Sequence, residues 1–242
     1  MASGGQQQQP PQKQDSQPRK EHVMNPVPQF SSPGYKPSNK LQGKVALVTG
    51  GDSGIGRSVC ILFAKEGATV AFTYVKGQED KDAKDTLEMV KKDKTAEAKD
   101  PMAVPADLGF DGTAKRHVLK HMKEGSSIIN TTSVNAYKGN ATLLDYTATK
   151  GAIVGFIRGL ALQLVNRGIR VNGVAPGPIW TPLIPASFDE EKSNQFGSQV
   201  PMKRAGHPIE VAPWYVFLAC NVCSSYITGQ VLHPNGGTVV NA

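Results

Sequence analysis

The hydrophobic pattern changes character at residue 43, and from there short apolar runs alternate with amphipathic stretches. Runs rich in β-branched residues predict strands at residues 44–49, 68–74, 102–106, 127–132, 169–175 and 230–233. Apolar residues at helical spacing predict helices at residues 53–66, 78–99, 114–122, 145–166 and 208–220. Because strands and helices alternate with short connections, we expect an α/β fold in which helices cover both faces of a doubly wound parallel sheet.

Residues 1–40 lack this pattern. They hold eight glutamines and seven of the 17 prolines, with too few apolar residues for a periodic face. We therefore predict a disordered or partly extended Gln/Pro-rich tail over residues 1–40 and a single domain over residues 41–242. A solvated tail is favoured over a docking role, although residues 23–30 could lie across the domain surface.

Composition and charge exclude several classes of protein. A chain of 242 residues that is 39% apolar can bury one substantial core. The net charge of +7 is spread along the chain without a basic stripe, so we expect no nucleic-acid partner. The best apolar stretch, residues 151–165, is interrupted by Arg158, so no membrane span is expected. The start of the chain has no targeting pattern and there are only three cysteines, so we predict a cytoplasmic location.

A glycine-rich loop follows the first predicted strand. Its sequence, Thr49-Gly50-Gly51-Asp52-Ser53-Gly54-Ile55-Gly56, opens directly into a helix. Glycines allow the backbone to approach a pyrophosphate closely, and the helix N-terminus offers unpaired N–H groups. In this context the loop favours dinucleotide binding over a purely structural turn, which makes the expected fold a Rossmann type.

A second group of residues suggests acid–base chemistry. Tyr146 and Lys150 lie one helical turn apart, so the ammonium group can stabilise a phenolate. Ser133 comes 13 residues before Tyr146, at the end of an apolar strand. Two candidate metal motifs, His117 with His121 and Cys220 with Cys223, lack further ligands, so no metal site is predicted.

With these motifs the chain resembles the short-chain dehydrogenase/reductase family over residues 41–242. Further matching features are Arg170-Val171-Asn172, Thr228-Gly229-Gln230 and Asn235-Gly236-Gly237. Within the family, the tail and residues 200–204 resemble the plant glucose and ribitol dehydrogenase group. The resemblance implies that Tyr146 is the acid/base, that Ser133 polarises the substrate oxygen, and that Lys150 holds the cofactor ribose and stabilises the phenolate.

The resemblance also implies a nicotinamide cofactor. The cofactor-binding residues would be Gly50, Ser53, Gly54, Ile55, Gly56, Asp107, Leu108, Tyr146, Lys150, Pro176, Gly177, Ile179 and Thr181. The cofactor is NADP or NAD. We favour NADP slightly because no acidic residue ends the second strand, and Lys76 or Arg57 could meet a 2′-phosphate. The implied partners are a sugar, polyol or similar carbonyl substrate and further copies of the chain in a dimer or tetramer.

One interval departs from the family pattern. Ser133 follows Asp107 by only 26 positions, where the family has a further strand and most of two helices. One of those helices carries the family's catalytic asparagine, and neither Asn130 nor Asn135 matches it. We therefore expect a fold that lacks one central strand and its helices. The alternative to an active oxidoreductase is a catalytically impaired chain that binds cofactor weakly or serves only as an oligomer partner.

Overall fold

The structure, a computed structural model, describes residues 13–14, 20–108, 114–187, 193 and 195–240, with the side chains of residues 114–117 left undescribed. The chain divides into two compact units. The first contains Met1–Asp107 and Pro178–Pro213, and the second contains Leu108–Gly177 and Trp214–Ala242. Residues 41–242, expected to form one domain, therefore contribute to both units.

The first unit contains a parallel three-stranded sheet. Its strands, in the order β1-β2-β3, are β1 Val45–Val48, β2 Thr69–Tyr74 and β3 Met102–Pro105. The helices of this unit are α1 Gly54–Lys65, α2 Asp80–Asp93 and α6 Leu183–Ser187, and a 3-10 turn covers Glu21–Val23. The interior side of α1 is apolar and packs with the buried strand residues Val70 and Phe72.

The other face of this sheet carries exposed apolar side chains. Val45 and Leu47 of β1 are 81% and 51% exposed, and Met102 of β3 is 61% exposed. The parallel register aligns Leu47, Ala71 and Met102 in one row, so the exposed side chains share a face. Contiguous apolar exposure of this kind is uncommon in a self-contained parallel sheet, which normally has both faces covered.

The second unit contains the other parallel sheet, in the order β4-β5-β6. Its strands are β4 Ser127–Thr131, β5 Arg170–Val174 and β6 Val231–Leu232. The helices in this unit are α3 Ala114–His121, α4 Asn135–Lys138, α5 Leu144–Leu164 and α8 Asn221–Ser224; α7 Pro208–Ala219 starts in the first unit and ends in the second. The core consists of residues from α5, from β5 and from the position just before β5: Ile157, Ala161, Leu164, Ile169 and Val171.

These elements confirm the predicted α/β fold with parallel strands, and each sequence-predicted strand and helix has its counterpart. The helix expected over residues 78–99 is shorter, because Lys94 adopts an extended conformation and ends α2. Among the described residues no strand lies between β3 and β4, as the short interval after Asp107 predicted. Each sheet therefore has three strands. At one edge β1 pairs with β2, and at one edge of the other sheet β4 pairs with β5.

Part of the N-terminal segment lies against the first unit. Met24 is buried, the carbonyl oxygen of Pro26 accepts the indole N–H of Trp180 at 3.0 Å, and that of Gln29 accepts the N–H of Ile209 at 3.0 Å. The prediction of a disordered tail is therefore wrong for residues 20–40, and residues 23–30 adopt the docked arrangement that was the less favoured alternative. The rest of the Gln/Pro-rich tail, residues 1–12 and 15–19, lies outside the described residues.

Among the residues that the structure describes, one helix is long and apolar enough to cross a membrane. Leu144–Arg167 meets that criterion by length and composition even with Arg158 in its sequence. Its residues Ile157, Ala161 and Leu164 are buried in the core of the second unit. A core helix of a globular domain meets the same criterion, so the feature is weak evidence for a membrane span.

Candidate functional site

The glycine-rich loop of the first unit is fixed by β2. The Thr73 hydroxyl oxygen accepts the N–H of Gly50 at 3.2 Å, and the Thr73 carbonyl accepts that of Gly51 at 3.1 Å. A Cβ on Gly56 would lie 2.0 Å from the carbonyl oxygen of Gly50, so only glycine permits this close approach. No sequence motif points to Thr73, whose role follows from the pairing of β1 with β2.

The N-terminus of α1 begins inside this loop. The N–H of Arg57 bonds to the carbonyl of Ser53 at 3.0 Å, and the N–H of Gly54 is accepted by the Glu21 carboxylate. Within the described part of the chain, the N–H groups of Ile55 and Gly56 have no acceptor. Unpaired N–H groups at a helix N-terminus favour an anion, so the loop fits a dinucleotide pyrophosphate.

Arg57 is not available to a cofactor phosphate. Its side chain is only 3% exposed, and its Nε donates to the carbonyl oxygen of Asp52 at 2.8 Å and to the hydroxyl of Thr86 at 2.8 Å. Its Nη2 donates to the carbonyl oxygen of Asp82 at 3.0 Å. The sequence-based suggestion that Arg57 meets a 2′-phosphate is therefore wrong, because buried partners hold the guanidinium. Lys76, the other candidate, is exposed after β2.

The remaining cofactor candidates are divided between the two units. In the first unit Asp107 is exposed after β3, whereas Ile179 and Thr181 are buried. Thr181 lies beside the glycine-rich loop, because its Cγ2 is 3.4 Å from the position that a Cβ on Gly54 would occupy. In the second unit Leu108 is 38% exposed. Pro176 accepts the N–H of Val134 at 3.0 Å, and Gly177 donates to the carbonyl of Pro234 at 3.0 Å.

The second unit brings the catalytic candidates to the carboxyl end of β4. Lys150 lies on α5 with its Nζ 5.4 Å from the centroid of the Tyr146 ring, and this Nζ donates to the carbonyl of Thr131 at 3.4 Å. The Lys150 carbonyl accepts the hydroxyl of Thr132 at 2.8 Å. Ser133 is the next residue, and its hydroxyl oxygen accepts the N–H of Asn135 at 3.2 Å. Hydrogen bonds thus connect the end of β4 to the first turns of α5.

The electrostatics of this group depend on burial. Desolvation lowers the pKa of Lys150, because burial disfavours the charged ammonium. Beside Ser133, the short helix α4 carries Tyr137, whose ring contacts that of His233 edge-on with centroids 4.6 Å apart. Burial also lowers the pKa of His233. The sequence contained no motif for this aromatic pair.

Over the described ranges, no group of three or more His, Cys, Asp or Glu residues is arranged to hold a metal. A cavity of about 500 Å³ in the first unit contains none of the predicted site residues; its lining includes Gln29, Tyr35, Arg204, His207 and Glu210.

Comparisons with known proteins match almost the whole chain. A family model described as short chain dehydrogenase matches residues 44–109, and one described as Enoyl-(Acyl carrier protein) reductase matches residues 112–239. The chain is 64% identical to "NADPH-dependent aldehyde reductase 1, chloroplastic" of Arabidopsis thaliana, covering 96% of this chain and 98% of that protein. It is 61% identical to "Glucose and ribitol dehydrogenase" of Daucus carota, covering 100% of both.

Solved structures agree with the fold. A short chain dehydrogenase from Burkholderia cenocepacia in complex with NADP matches with a TM-score of 0.70 and 26% identity, covering 82% of this chain and 98% of that one. A short-chain dehydrogenase/reductase from Serratia marcescens matches with a TM-score of 0.69 and 27% identity over the same shares.

The comparisons also locate the missing interval. The alignment with the carrot protein spans 294 positions against 242 residues here, so about 50 positions of that protein have no counterpart. The two family models meet between residues 109 and 112, inside the interval after Asp107 that the sequence marked as too short. With identities of 54–64% to full-length plant relatives and family models over most of its length, the chain belongs to the short-chain dehydrogenase/reductase family.

Proposed function

We propose that this chain is an NADP-dependent oxidoreductase that interconverts an alcohol and a carbonyl on a sugar, polyol or similar small substrate. The observation that carries the proposal is the position of the Lys150 ammonium near the Tyr146 ring, with Lys150 anchored to the strand end that precedes Ser133. A phenol beside an ammonium is suited to exchange a proton with a substrate oxygen.

Each of the three catalytic residues has a distinct role in the proposal. Tyr146 gives a proton to the substrate oxygen or removes one from it. Lys150 stabilises the Tyr146 phenolate electrostatically. The Ser133 oxygen already accepts a hydrogen bond from the Asn135 N–H, so its own hydrogen can be donated to the substrate oxygen. The nicotinamide cofactor, when bound, supplies or accepts the hydride.

The cofactor would be held by the glycine-rich loop. The free N–H groups of Ile55 and Gly56 suit a pyrophosphate, and the exposed Lys76 suits a 2′-phosphate. The choice of NADP over NAD is further supported by the Arabidopsis relative, which is named NADPH-dependent, and by the Burkholderia structure with NADP. Asp107, Leu108, Pro176, Gly177, Ile179 and Thr181 stay predicted cofactor contacts.

The substrate class rests on the names of relatives. Three of them are named for glucose and ribitol or as homologues of such an enzyme, whereas another is named an aldehyde reductase. Sugars, polyols and aldehydes share the alcohol–carbonyl conversion, so an assay must test oxidation of ribitol and glucose and reduction of aldehydes with each cofactor.

The test combines binding and turnover. We expect NADPH to raise the melting temperature more than NADH, since a ligand at 100 times its Kd stabilises the fold by about 2.7 kcal/mol. We expect Tyr146→Phe to keep this thermal shift and to lower kcat by at least about 100-fold, because it removes the acid/base. Turnover that survives in Tyr146→Phe would refute the assigned role.

The second candidate is a catalytically impaired chain that acts as an oligomer partner. It is favoured by the roughly 50 positions that the plant relatives have in addition and by the exposed apolar face of the first sheet. The surface for association would be the exposed side of α5. No thermal shift with either cofactor, together with a stable oligomer, would favour this candidate over the enzyme.

The cellular compartment is also a proposal. The sequence-based expectation is a cytoplasmic location, whereas the Arabidopsis relative is named chloroplastic. A fluorescent fusion to the C-terminus, expressed in plant cells, distinguishes a cytoplasmic from a plastid signal.

A further inference from the structure

The N-terminal segment reaches the cofactor loop through one buried side chain, Glu21. Its Oε1 accepts the N–H of Gly54, the first residue of α1, at 3.0 Å, and its Oε2 lies 2.9 Å from Nη1 of Arg57. The Glu21 side chain is fully buried. A carboxylate here satisfies one of the unpaired N–H groups of α1 and interacts favourably with the positive end of the helix.

The backbone around Glu21 is anchored separately. The Asp82 carboxylate of α2 accepts the N–H of Glu21 at 2.9 Å and that of His22 at 3.1 Å. The His22 ring Nδ1 also lies 3.0 Å from Asp82 Oδ1. The short turn is thus held to α2 by its main chain, and the Glu21 carboxylate is aimed at α1 from a fixed position.

Arg57 extends this connection to the loop itself. Besides its ion pair with Glu21, it donates to the carbonyl oxygen of Asp52, which also accepts the Thr86 hydroxyl at 2.9 Å. Glu21 therefore holds the loop at two points, directly at Gly54 and through Arg57 at Asp52. Gly54 itself has a φ of +52°, a conformation that glycine adopts readily and other residues do not.

We propose that Glu21 is a positioning residue for cofactor binding, which holds the Gly50–Gly56 loop so that the N–H groups of Ile55 and Gly56 remain directed at a dinucleotide pyrophosphate. The inference rests on the proposed function for the identity of the ligand. Through Glu21, the N-terminal segment is then part of the cofactor site.

The same segment offers a matched control at the other end of α1. There Glu66 accepts the Tyr35 hydroxyl at 2.5 Å and the N–H groups of Ser38 and Lys40 at 3.0 and 2.9 Å. This second anchor also ties the N-terminal segment to α1, but its hydrogen bonds reach none of the loop residues. Tyr35→Phe therefore weakens docking of the segment without touching the loop.

The experiment uses the full chain with Glu21→Ala, Glu21→Gln and Tyr35→Phe. Amide hydrogen exchange of residues 50–56 is measured without cofactor, and the Kd for NADPH is measured by fluorescence titration. We expect Glu21→Ala to raise loop exchange and the Kd about 10-fold, the scale of one buried N–H group left without its acceptor. Glu21→Gln keeps an acceptor for Gly54 and should have a smaller effect. Tyr35→Phe should lower the melting temperature and leave both loop readouts unchanged.

Two results would overturn the proposal. The first is that Glu21→Ala and the wild type show equal amide exchange in the loop. The second is that Tyr35→Phe changes the loop exchange and the Kd as much as Glu21→Ala does. That second result would mean that docking of the whole segment, and not Glu21 in particular, holds the loop. If the wild type binds neither NADPH nor NADH, the proposed function fails. The exchange comparison then still decides whether Glu21 holds the loop.

Discussion

Arg57 is a buried guanidinium surrounded by more carboxylates than it can neutralise. Glu21, Asp52 and Asp82 are each no more than 2% exposed. Burial raises the pKa of Glu21 to about 7 despite the opposing charge of Arg57, and burial likewise raises the pKa of Asp52. Two carboxylates in excess of one cation are costly in such an environment, so protonation of Glu21 near neutral pH relieves the cluster.

This cluster predicts that stability falls as the pH rises through neutrality. The folded-state pKa of Glu21, about 7, lies above its ordinary value of 4.5, so between these values the folded chain binds more protons than the unfolded chain. The contribution is fully present below about pH 4.5 and is lost as the pH rises through 7. We expect the free energy of unfolding in urea to fall by about 1–3 kcal/mol between pH 5 and pH 8. In Glu21→Gln the slope should be smaller; an unchanged slope would contradict the assignment.

Cofactor selectivity is a second prediction for single residues. Lys76 is exposed after β2, whereas buried partners hold Arg57. We expect Lys76→Glu to lower the preference for NADPH over NADH by about 10-fold or more, because it replaces an attraction to the 2′-phosphate with a repulsion. Arg57→Lys should reduce stability and leave the ratio of the two Kd values unchanged. A ratio that shifts only in Arg57→Lys would restore the role first suggested for Arg57.

Among the elements, α5 combines two surfaces. Its inner side supplies Ile157, Ala161 and Leu164 to the core, while its outer side exposes small and apolar residues. The small and aliphatic exposed positions are Leu144, Ala148, Ala152, Gly155, Gly159 and Leu162, and the other exposed positions of α5 are Asp145, Thr149, Phe156, Arg158 and Gln163. A smooth stripe of this kind allows close approach of another helix, which supports the proposed association of copies of the chain.

Charge on this stripe should therefore prevent association. Leu162 is 78% exposed, so Leu162→Glu leaves the core intact and places a carboxylate on the outer side of α5. We expect it to weaken self-association by at least about 10-fold in sedimentation experiments, because a buried unpaired charge is costly. Val222→Glu, at a 94% exposed position on α8, is the matched control and should assemble as the wild type does. Equal assembly of both variants would contradict the α5 interface.

For the whole molecule, the missing interval after Asp107 has structural consequences. Each sheet contains three strands, and Val45, Leu47 and Met102 are exposed on one face of the first sheet. Side chains of this size gain about 1.5–3 kcal/mol each when fully buried, so the exposed apolar face is a loss of several kcal/mol. We therefore expect the chain to keep the sequence motifs of an oxidoreductase with a lower stability than its full-length relatives.

Restoring the interval should recover stability and activity. We expect the purified chain to melt at low temperature and to turn over weakly. Replacing residues 109–113 with the corresponding longer segment of the carrot relative should raise the melting temperature on the order of 10 °C and increase kcat. A Gly/Ser insert of the same length is the control and should do neither. A cooperative melt with normal turnover in the unmodified chain would refute the predicted impairment.

The sequence by itself determined the order and type of the strands and helices, the glycine-rich loop, the Tyr146–Lys150 spacing and the position of the gap. These depend on local periodicity and spacing, which a sequence displays directly. Only the tertiary structure decided that buried groups hold Arg57, that Thr73 fixes the loop, that Glu21 reaches the start of α1 and that residues 20–40 are docked. Those contacts join positions far apart in the chain: Glu21 and Gly54 are 33 residues apart, and no local pattern encodes such a pairing. Burial then changes the chemistry, since a carboxylate that would be ionised in water becomes a group that titrates near neutral pH.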